Sequence, residues 1–167
     1  MYKIGDTIIY GVDGICEITD ISTLDLSGVP SDKEYYTLRV IGNNMTIFAP
    51  VGSAKSKMRK IITYDDAENL ISRIPEIEPL KNTSERVIEQ TYKEYLLSYD
   101  YEKWISLIKF IYERKQKRLN AGKKVTVIDE KNMKRMEEML YQELSIALNI
   151  SSDEVLNYIT EKIKDKK

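Results

Sequence analysis

The pattern of apolar residues changes character once along this chain, and that change limits the folds open to it. Residues 1–64 contain short β-rich runs separated by turn residues such as Asp13-Gly14 and Gly42-Asn43-Asn44. After residue 80 the apolar side chains recur at helical spacing instead. A chain of 167 residues is long enough for two small domains. We therefore predict an α+β protein in which a strand domain precedes a helical one.

The β-rich half shows the alternation expected of half-buried strands. Tyr36, Leu38 and Val40 alternate with Thr37 and Arg39, so this strand can bury one face and expose the other. Several short strands joined by tight turns predict a small, strongly bent antiparallel β-barrel, of the SH3-like kind, in the first domain.

Residues 65–80 separate the two halves. The run DDAENLISRI has acidic residues early and an arginine late, as a helix prefers. Pro75 and Pro79 follow it and stop the helical pattern. We predict a short helix and a linker here, between a first domain at 1–64 and a second at 81–167.

The second domain is predicted to be a compact all-α domain of about four helices. The first helix is expected to begin near Asn82-Thr83-Ser84, the second at Asp100 and the third at Asp129. The fourth opens at Ser151, whose spacing to Glu154 is that of a capping box. Only the tail, DKK, is predicted to be disordered.

Composition argues against several kinds of chemistry. With no histidine and one cysteine, the chain cannot build a His-based catalytic triad, a Cys/His zinc site or an internal disulfide. We expect no enzyme activity, cofactor, metal or small-molecule substrate. Cys16 lies in a strand-like pattern and is interpreted as a small buried hydrophobe, with a reactive thiol as the alternative.

The sequence also lacks the signals of a membrane protein. No run approaches the roughly 18 consecutive apolar residues of a membrane span, and the start, MYKIGDT, lacks the basic and apolar regions of a signal peptide. We expect a cytoplasmic protein with no membrane partner.

Charge is divided unevenly along the chain. The first 80 residues carry a net charge of −4 and the remainder +3, and residues 103–135 hold eleven basic side chains against three acidic ones. This cationic middle can meet several phosphates of a nucleic acid. A solvated helix face is the alternative. The cations in question are Lys109, Arg114, Lys115, Lys117, Arg118, Lys123 and Lys124.

Several segments resemble a known family. The opening KIGDTIIYGVDGICEITDI, then EYYTLRV, MTIFAPV and Lys57-Met58-Arg59, are similar to the RNA-polymerase-interaction domain of CarD/CdnL bacterial transcription factors. The same domain occurs in the transcription-repair coupling factor, but no helicase motif follows it here. The helical half resembles the CarD/CdnL carboxy-terminal domain through SYDYEK, ERKQKRL and MEEMLYQELSIAL.

The resemblance implies a two-part binding protein. Its Tudor-like barrel would dock on the polymerase β subunit, and its helical domain would contact promoter DNA at the upstream edge of the melted region, altering open-complex stability. The residues at the implied polymerase-binding positions are Thr23, Leu24, Asp25, Leu26, Thr46, Ile47, Phe48 and Pro50. Leu24 and Phe48 stand where some relatives have arginines. An exposed apolar patch and a buried core are both open interpretations of Leu24, Leu26 and Phe48.

The family's minor-groove tryptophan has no counterpart in this chain. By the resemblance its position is Thr83, whereas the single tryptophan, Trp104, lies inside the second predicted helix on an apolar stripe, where a core role is favoured. We therefore expect contact with DNA that is electrostatic and does not use a wedge. A protein–protein adaptor without DNA contact is the alternative. The implied DNA-binding residues are Thr83, Arg86, Lys109, Arg114, Lys115, Lys117, Arg118, Lys123, Lys124 and Lys131.

Overall fold

The computed structural model describes residues 1–81 and 83–165. They form two compact units, Met1–Ile61 and Ile62–Lys167. Two parts of the predictions lie outside the described residues, namely Asn82 as part of a helix start and the last two lysines of the tail.

The first unit is an antiparallel five-stranded sheet in the order β4-β3-β2-β1-β5. A short helix, α1, covers Val51–Ala54 and one turn of 3-10 helix covers Gly11–Asp13. The strands are β1 (Thr7–Tyr10), β2 (Gly14–Thr23), β3 (Glu34–Val40), β4 (Thr46–Pro50) and β5 (Met58–Lys60).

The predicted alternation organises the core of this unit. Tyr36, Leu38 and Val40 are buried against β1 and β2 residues such as Ile8 and Ile18, while the side chains between them on β3 lie on the other face. Gly14 opens β2 with φ of 89°, a conformation that favours glycine over residues with a Cβ. The turn predicted at Asp13-Gly14 is therefore confirmed.

The prediction of a closed barrel is not matched, because the described strands form an open sheet with β4 and β5 at its edges. β5 has only three residues and pairs with β1, and the five-residue β4 pairs with β3. Closure would need a ladder between these two edge strands. The ladder between β2 and β3 has a register shift between Ile18 and Asp20, an irregularity of the kind that bends strands.

The second unit is helical, so the α+β class is confirmed, but the number of helices differs from the prediction. In its described residues this unit has five α-helices, because the short helix predicted at 65–80 joins the four that follow residue 81. The helices are α2 (Tyr64–Arg73), α3 (Ile88–Leu97), α4 (Tyr101–Asn120), α5 (Val127–Leu148) and α6 (Ser152–Lys164).

Residues 65–80 are packed into the second unit along their whole length. Ala67 and Ile71 of α2 are buried in one cluster with Trp104 of α4. A 3-10 turn (Ile74–Glu76) comes after α2. The proline-bearing residues 74–80, which we call the strap, run alongside α4, and the Leu80 N–H donates to the Ser106 carbonyl at 3.3 Å. The strap is therefore packed on α4 and is not a free linker.

Local capping chemistry explains two helix starts that the sequence located. The Asp100 carboxylate accepts hydrogen bonds from the backbone N–H groups of Glu102 and Lys103 and caps α4. At α6 the predicted capping box of Ser151 and Glu154 is present. Both predictions are confirmed.

Two other helix starts were wrong. α3 begins at Ile88, because a turn closed by the Val87 N–H and the Ser84 carbonyl at 3.1 Å precedes it. α5 begins at Val127 rather than Asp129, because Thr126 is the residue whose hydroxyl caps it, accepting from the Asp129 N–H at 3.2 Å. The Asp129 carboxylate does not cap the helix and instead accepts hydrogen bonds from Arg114 and Tyr92.

α4 and α5 form an antiparallel hairpin that carries the core of the second unit. Arg114 meets Asp129 near the loop and Tyr101 meets Glu143 near the other end. Glu143 is fully buried and also accepts a hydrogen bond from the Ile62 N–H at 3.0 Å. In the described parts of the chain no helix is long and apolar enough to cross a membrane.

Candidate functional site

The residues at the implied polymerase-binding positions fall on two structurally different segments of the first unit. Thr23 is the last residue of β2, and Leu24, Asp25 and Leu26 follow it outside the strands. The remaining positions belong to β4 (Thr46–Pro50), an edge strand of the sheet. The first segment is therefore not a sheet edge, whereas the second is.

The pleat of β4 directs its side chains to opposite faces. Ile47 pairs with Leu38 and packs against the core, whereas Phe48 pairs with Thr37 and lies on the outer face. The ring of Phe48 is 46% exposed. Tyr35 shares this outer face and pairs with Pro50 at the end of β4. The edge strand therefore presents an aromatic ring to solvent beside a backbone edge.

Of the three apolar residues that could form either an exposed patch or part of the core, Leu26 and Phe48 are exposed. Leu26 is 48% exposed and Phe48 is exposed to a similar degree, while Leu24 is half-buried. Both exposed residues therefore provide apolar surface at the positions that the resemblance assigns to the polymerase.

On the second unit, two of the predicted DNA-binding cations are engaged within the protein. The Lys109 ammonium donates hydrogen bonds to the carbonyl oxygens of Ile74 and Ile77, the latter at 2.7 Å. Burial of this group lowers the pKa of Lys109. Its observed task is to hold the proline-bearing strap against α4.

Arg114 is the second engaged cation, and it belongs to a partly buried network. Its Nε donates to Asp129 Oδ2 at 2.7 Å, and its terminal nitrogens pair with Glu85. Asp129 is 1% exposed and also accepts from the Tyr92 hydroxyl at 2.7 Å. Burial first, and then the hydrogen bond to Asp129, raises the pKa of Tyr92. The network ties the turn before α3 to the α4–α5 hairpin.

The other predicted cations gather at the loop end of that hairpin. Lys117, Lys123 and Lys124 are exposed, and Lys115 and Arg118 are half-buried. Arg118 Nε donates to the Lys124 carbonyl at 2.8 Å, and the Lys123 N–H donates to the Arg118 carbonyl at 2.8 Å. The loop therefore folds back on the end of α4, where the helix dipole favours positive charge.

The sequence around this loop has one sign of charge. Residues 115–128 contain five basic side chains and no acidic one. Lys131, one turn into α5, is exposed as well. We define the cationic tip as Lys117, Arg118, Lys123 and Lys124; sequence-independent attraction to phosphates is the interaction that it can provide.

Thr83 and Arg86 lie in the turn segment that precedes α3. Thr83 is half-buried and Arg86 is exposed, and Glu85 between them joins the segment to Arg114. No aromatic ring occupies position 83.

Trp104 is a core residue, as predicted. It is fully buried, and its indole Nε1 donates to the Tyr95 carbonyl at 2.9 Å. Tyr99 and Tyr101 contact the indole edge-on, with ring centroids 6.5 and 5.9 Å away. Its position in the fold accounts for the residue without any ligand.

The hydrogen-bond network that joins Asp129, Arg114, Tyr92 and Glu85 was not predicted from the sequence. Asp129 was interpreted only as a helix start, and neither Tyr92 nor Glu85 was predicted to bind it or Arg114. Thr126 and Asp129 do have the spacing of a helix cap, which would have located the start of α5. Nothing local marks the bond from Asp129 to Arg114, because the two residues lie 15 positions apart.

Acidic side chains and Cys16 are among the groups of this chain that could bind a metal ion or react as a nucleophile. Within 1–81 and 83–165, no group of three or more acidic residues or cysteine is placed to hold a metal ion. Cys16 is fully buried, as predicted. Burial, and more weakly the charge of Asp13, raises the pKa of its thiol to about 11.

The first unit matches a described family. Residues 2–62 match the model of the CarD-like/TRCF RID domain, and these boundaries coincide closely with the compact unit Met1–Ile61. The match covers all five strands, including the β4 edge with its exposed Phe48. The N-terminal unit of this chain is therefore a CarD-like/TRCF RID domain, an RNA-polymerase-interaction domain with a transcription-related role.

Proposed function

We propose that the protein is a CarD-like, non-enzymatic transcription regulator that binds the RNA polymerase β subunit through its N-terminal unit. Its helical unit contacts promoter DNA near the upstream edge of the melted region and modulates open-complex stability. The exposed β4 edge within the matched domain is the observation that carries this proposal. Because a bacterial polymerase works in the cytoplasm, we place the protein there as part of the proposal.

The β4 edge suits a protein partner for two physical reasons. An edge strand offers backbone N–H and C=O groups to which a partner strand can add. Phe48 and Leu26 add apolar surface that would leave water on binding. The apolar residues Leu24 and Phe48, at positions where some relatives have arginines, shift this contact from polar to apolar.

The test of polymerase binding is a pair of charge substitutions. Phe48→Glu and Leu26→Glu should each weaken binding to an isolated β-lobe fragment by about tenfold or more, because burying a carboxylate at the interface is costly. Val12→Glu is the matched control, since Val12 is also exposed but lies in the turn between β1 and β2. Calorimetric titration measures the dissociation constants. Normal binding by both probe variants would reject the β4 edge as the contact.

DNA contact is proposed for the cationic tip rather than for the whole predicted set. Lys117 and Lys123 are exposed, whereas Lys109 serves internal acceptors and Arg114 is held by Asp129 and Glu85 when no ligand is bound. Substituting Lys117 and Lys123 with glutamate should weaken binding to forked promoter DNA and flatten its salt dependence. Lys55→Glu combined with Lys164→Glu, both at exposed positions, makes the same change in net charge and is the control. If the double variant keeps its DNA affinity and its salt dependence, the cationic tip does not contact DNA.

An adaptor that joins the polymerase to a second protein is the other candidate function. It is favoured by the absence of an aromatic ring at Thr83 and by the internal engagement of Arg114. The two functions differ in what they do to promoter DNA. An adaptor leaves the upstream edge of the melted region unprotected in a footprint of the polymerase complex, and the proposed regulator protects it.

A further inference from the structure

One guanidinium in the second unit is shared by two carboxylates of very different exposure. Arg114 Nε donates to Asp129, which is 1% exposed, and Arg114 Nη2 donates to Glu85 Oε2 at 3.0 Å. The Glu85 side chain is 73% exposed and its other oxygen accepts from Arg114 Nη1. Asp129 orients the guanidinium from inside, and Glu85 occupies its outer edge.

The Glu85 contact has the form of an oxyanion bound by an arginine fork. Two carboxylate oxygens accept from the two terminal nitrogens, an arrangement that a phosphate can take equally well. A second arginine, Arg118, follows on the next turn of α4, where its Nε donates to the Lys124 carbonyl at 2.8 Å. The pKa of Glu85 is lowered, chiefly by the hydrogen bond from Arg114 and more weakly by the charges of Arg114 and Arg118. Arg114 and Arg118 are one turn apart on α4 and so share a face.

The two carboxylates differ in how readily they can be exchanged. Removing Asp129 would leave a buried hydroxyl and a largely buried cation without their acceptor. Releasing Glu85 returns an exposed carboxylate to water, and an incoming phosphate can accept the same hydrogen bonds from Arg114. We therefore expect Asp129 to stay bound to Arg114 when a ligand arrives, whereas Glu85 can be replaced by it.

We propose that Arg114 and Arg118 form a phosphate-binding site that Glu85 occupies from within the chain when no ligand is bound. A nucleic-acid backbone phosphate displaces Glu85, and the turn segment holding Thr83 and Arg86 is released from α4 at the same time. The nucleic-acid source of the phosphate rests on the proposed function. The site itself rests only on the geometry around Arg114.

The test compares two isosteric substitutions of neighbouring acids. Glu85→Gln removes the competing carboxylate, and Glu89→Gln makes the same change in net charge at an exposed position in the first turn of α3. We expect Glu85→Gln to bind forked DNA about three- to tenfold more tightly. The slope of log affinity against log salt should steepen by about 0.9, as for one added phosphate contact. Glu89→Gln should remain within about twofold of wild type with an unchanged slope.

A second arm uses inorganic phosphate alone. Raising phosphate against chloride at constant ionic strength should raise the melting temperature of Glu85→Gln more than that of wild type or Glu89→Gln. Adding Arg118→Gln to Glu85→Gln should abolish that difference.

These two arms separate the site from the proposed function. If phosphate stabilises Glu85→Gln selectively while no variant binds DNA, the site stands and DNA contact fails. If Glu85→Gln matches Glu89→Gln in both the DNA and the phosphate measurements, the site itself is rejected.

Discussion

The indole Nε1 of Trp104 donates a hydrogen bond to the Tyr95 carbonyl across 2.9 Å, and this bond joins the end of α3 to the start of α4. The chain turns between them through Tyr99, whose φ of 51° is left-handed. Asp100 then caps α4. The tryptophan thus provides apolar packing and adds a donor to a carbonyl at a helix end, where Ser98 also donates through its N–H and its hydroxyl.

Shortening Trp104 should destabilise the protein in two steps. Trp104→Phe keeps much of the apolar contact and removes one donor to the Tyr95 carbonyl, which still accepts from the N–H and the hydroxyl of Ser98, so we expect a loss of about 1 kcal/mol. Trp104→Ala also opens a cavity and should cost about 3–5 kcal/mol. Urea unfolding followed by circular dichroism measures both. Tyr112→Ala, at an exposed position on the same helix, is the control. A similar loss of stability there would contradict the role assigned to Trp104.

Asp129→Asn should destabilise the protein far more than a matched change elsewhere. The amide cannot neutralise Arg114, whose side chain is only 18% exposed, so we expect a loss of about 3 kcal/mol. Asp153 is also in the first turn of a helix but is exposed, and Asp153→Asn should cost less than about 1 kcal/mol. Equal urea midpoints for the two variants would show that the Asp129–Arg114 network does not stabilise the fold.

Glu68 should make the stability of the protein depend on acid pH. Its pKa is lowered, chiefly by the hydrogen bond from Tyr158 and also by Lys162. Because the folded pKa is below the unfolded value near 4.5, this contribution is present above that pH and is lost as the pH falls through the folded pKa. Wild type should therefore lose more stability than Glu68→Gln between neutral pH and about pH 3. Parallel pH profiles in urea unfolding would contradict this assignment.

Cys16 should be chemically silent in the folded protein. Its thiol is fully buried with a pKa raised to about 11, and the thiolate is the reactive form. We expect no reaction with a chromogenic disulfide reagent at about pH 8 in native buffer and complete reaction in denaturing urea. Rapid labelling of the native protein would show that β2 opens locally.

The features that were predicted from the sequence depend on local regularities. The alternation in β3, the cap at Asp100 and the capping box at Ser151 each involve residues within a few positions of one another. The packing of Trp104 follows in the same way from its place on an apolar stripe. The start of α5 shares this local character, but the cap at Thr126 was overlooked.

The features that escaped prediction depend on partners distant in the chain. The short helix predicted within residues 65–80 is present as α2, but its burial beside Trp104 and the hold of Lys109 on the residues after it were not predicted. The open sheet likewise reflects which strands pair, and no single strand carries that information.

The sequence by itself determined the α+β class, the RID domain signature and the positions of the basic residues. Only the tertiary structure decided which cations face water, because Arg114 is neutralised by Asp129 and Glu85, at separations of 15 and 29 residues. Charge can be read from composition. Its availability depends on what the folded chain places within hydrogen-bonding distance, and that is a property of packing.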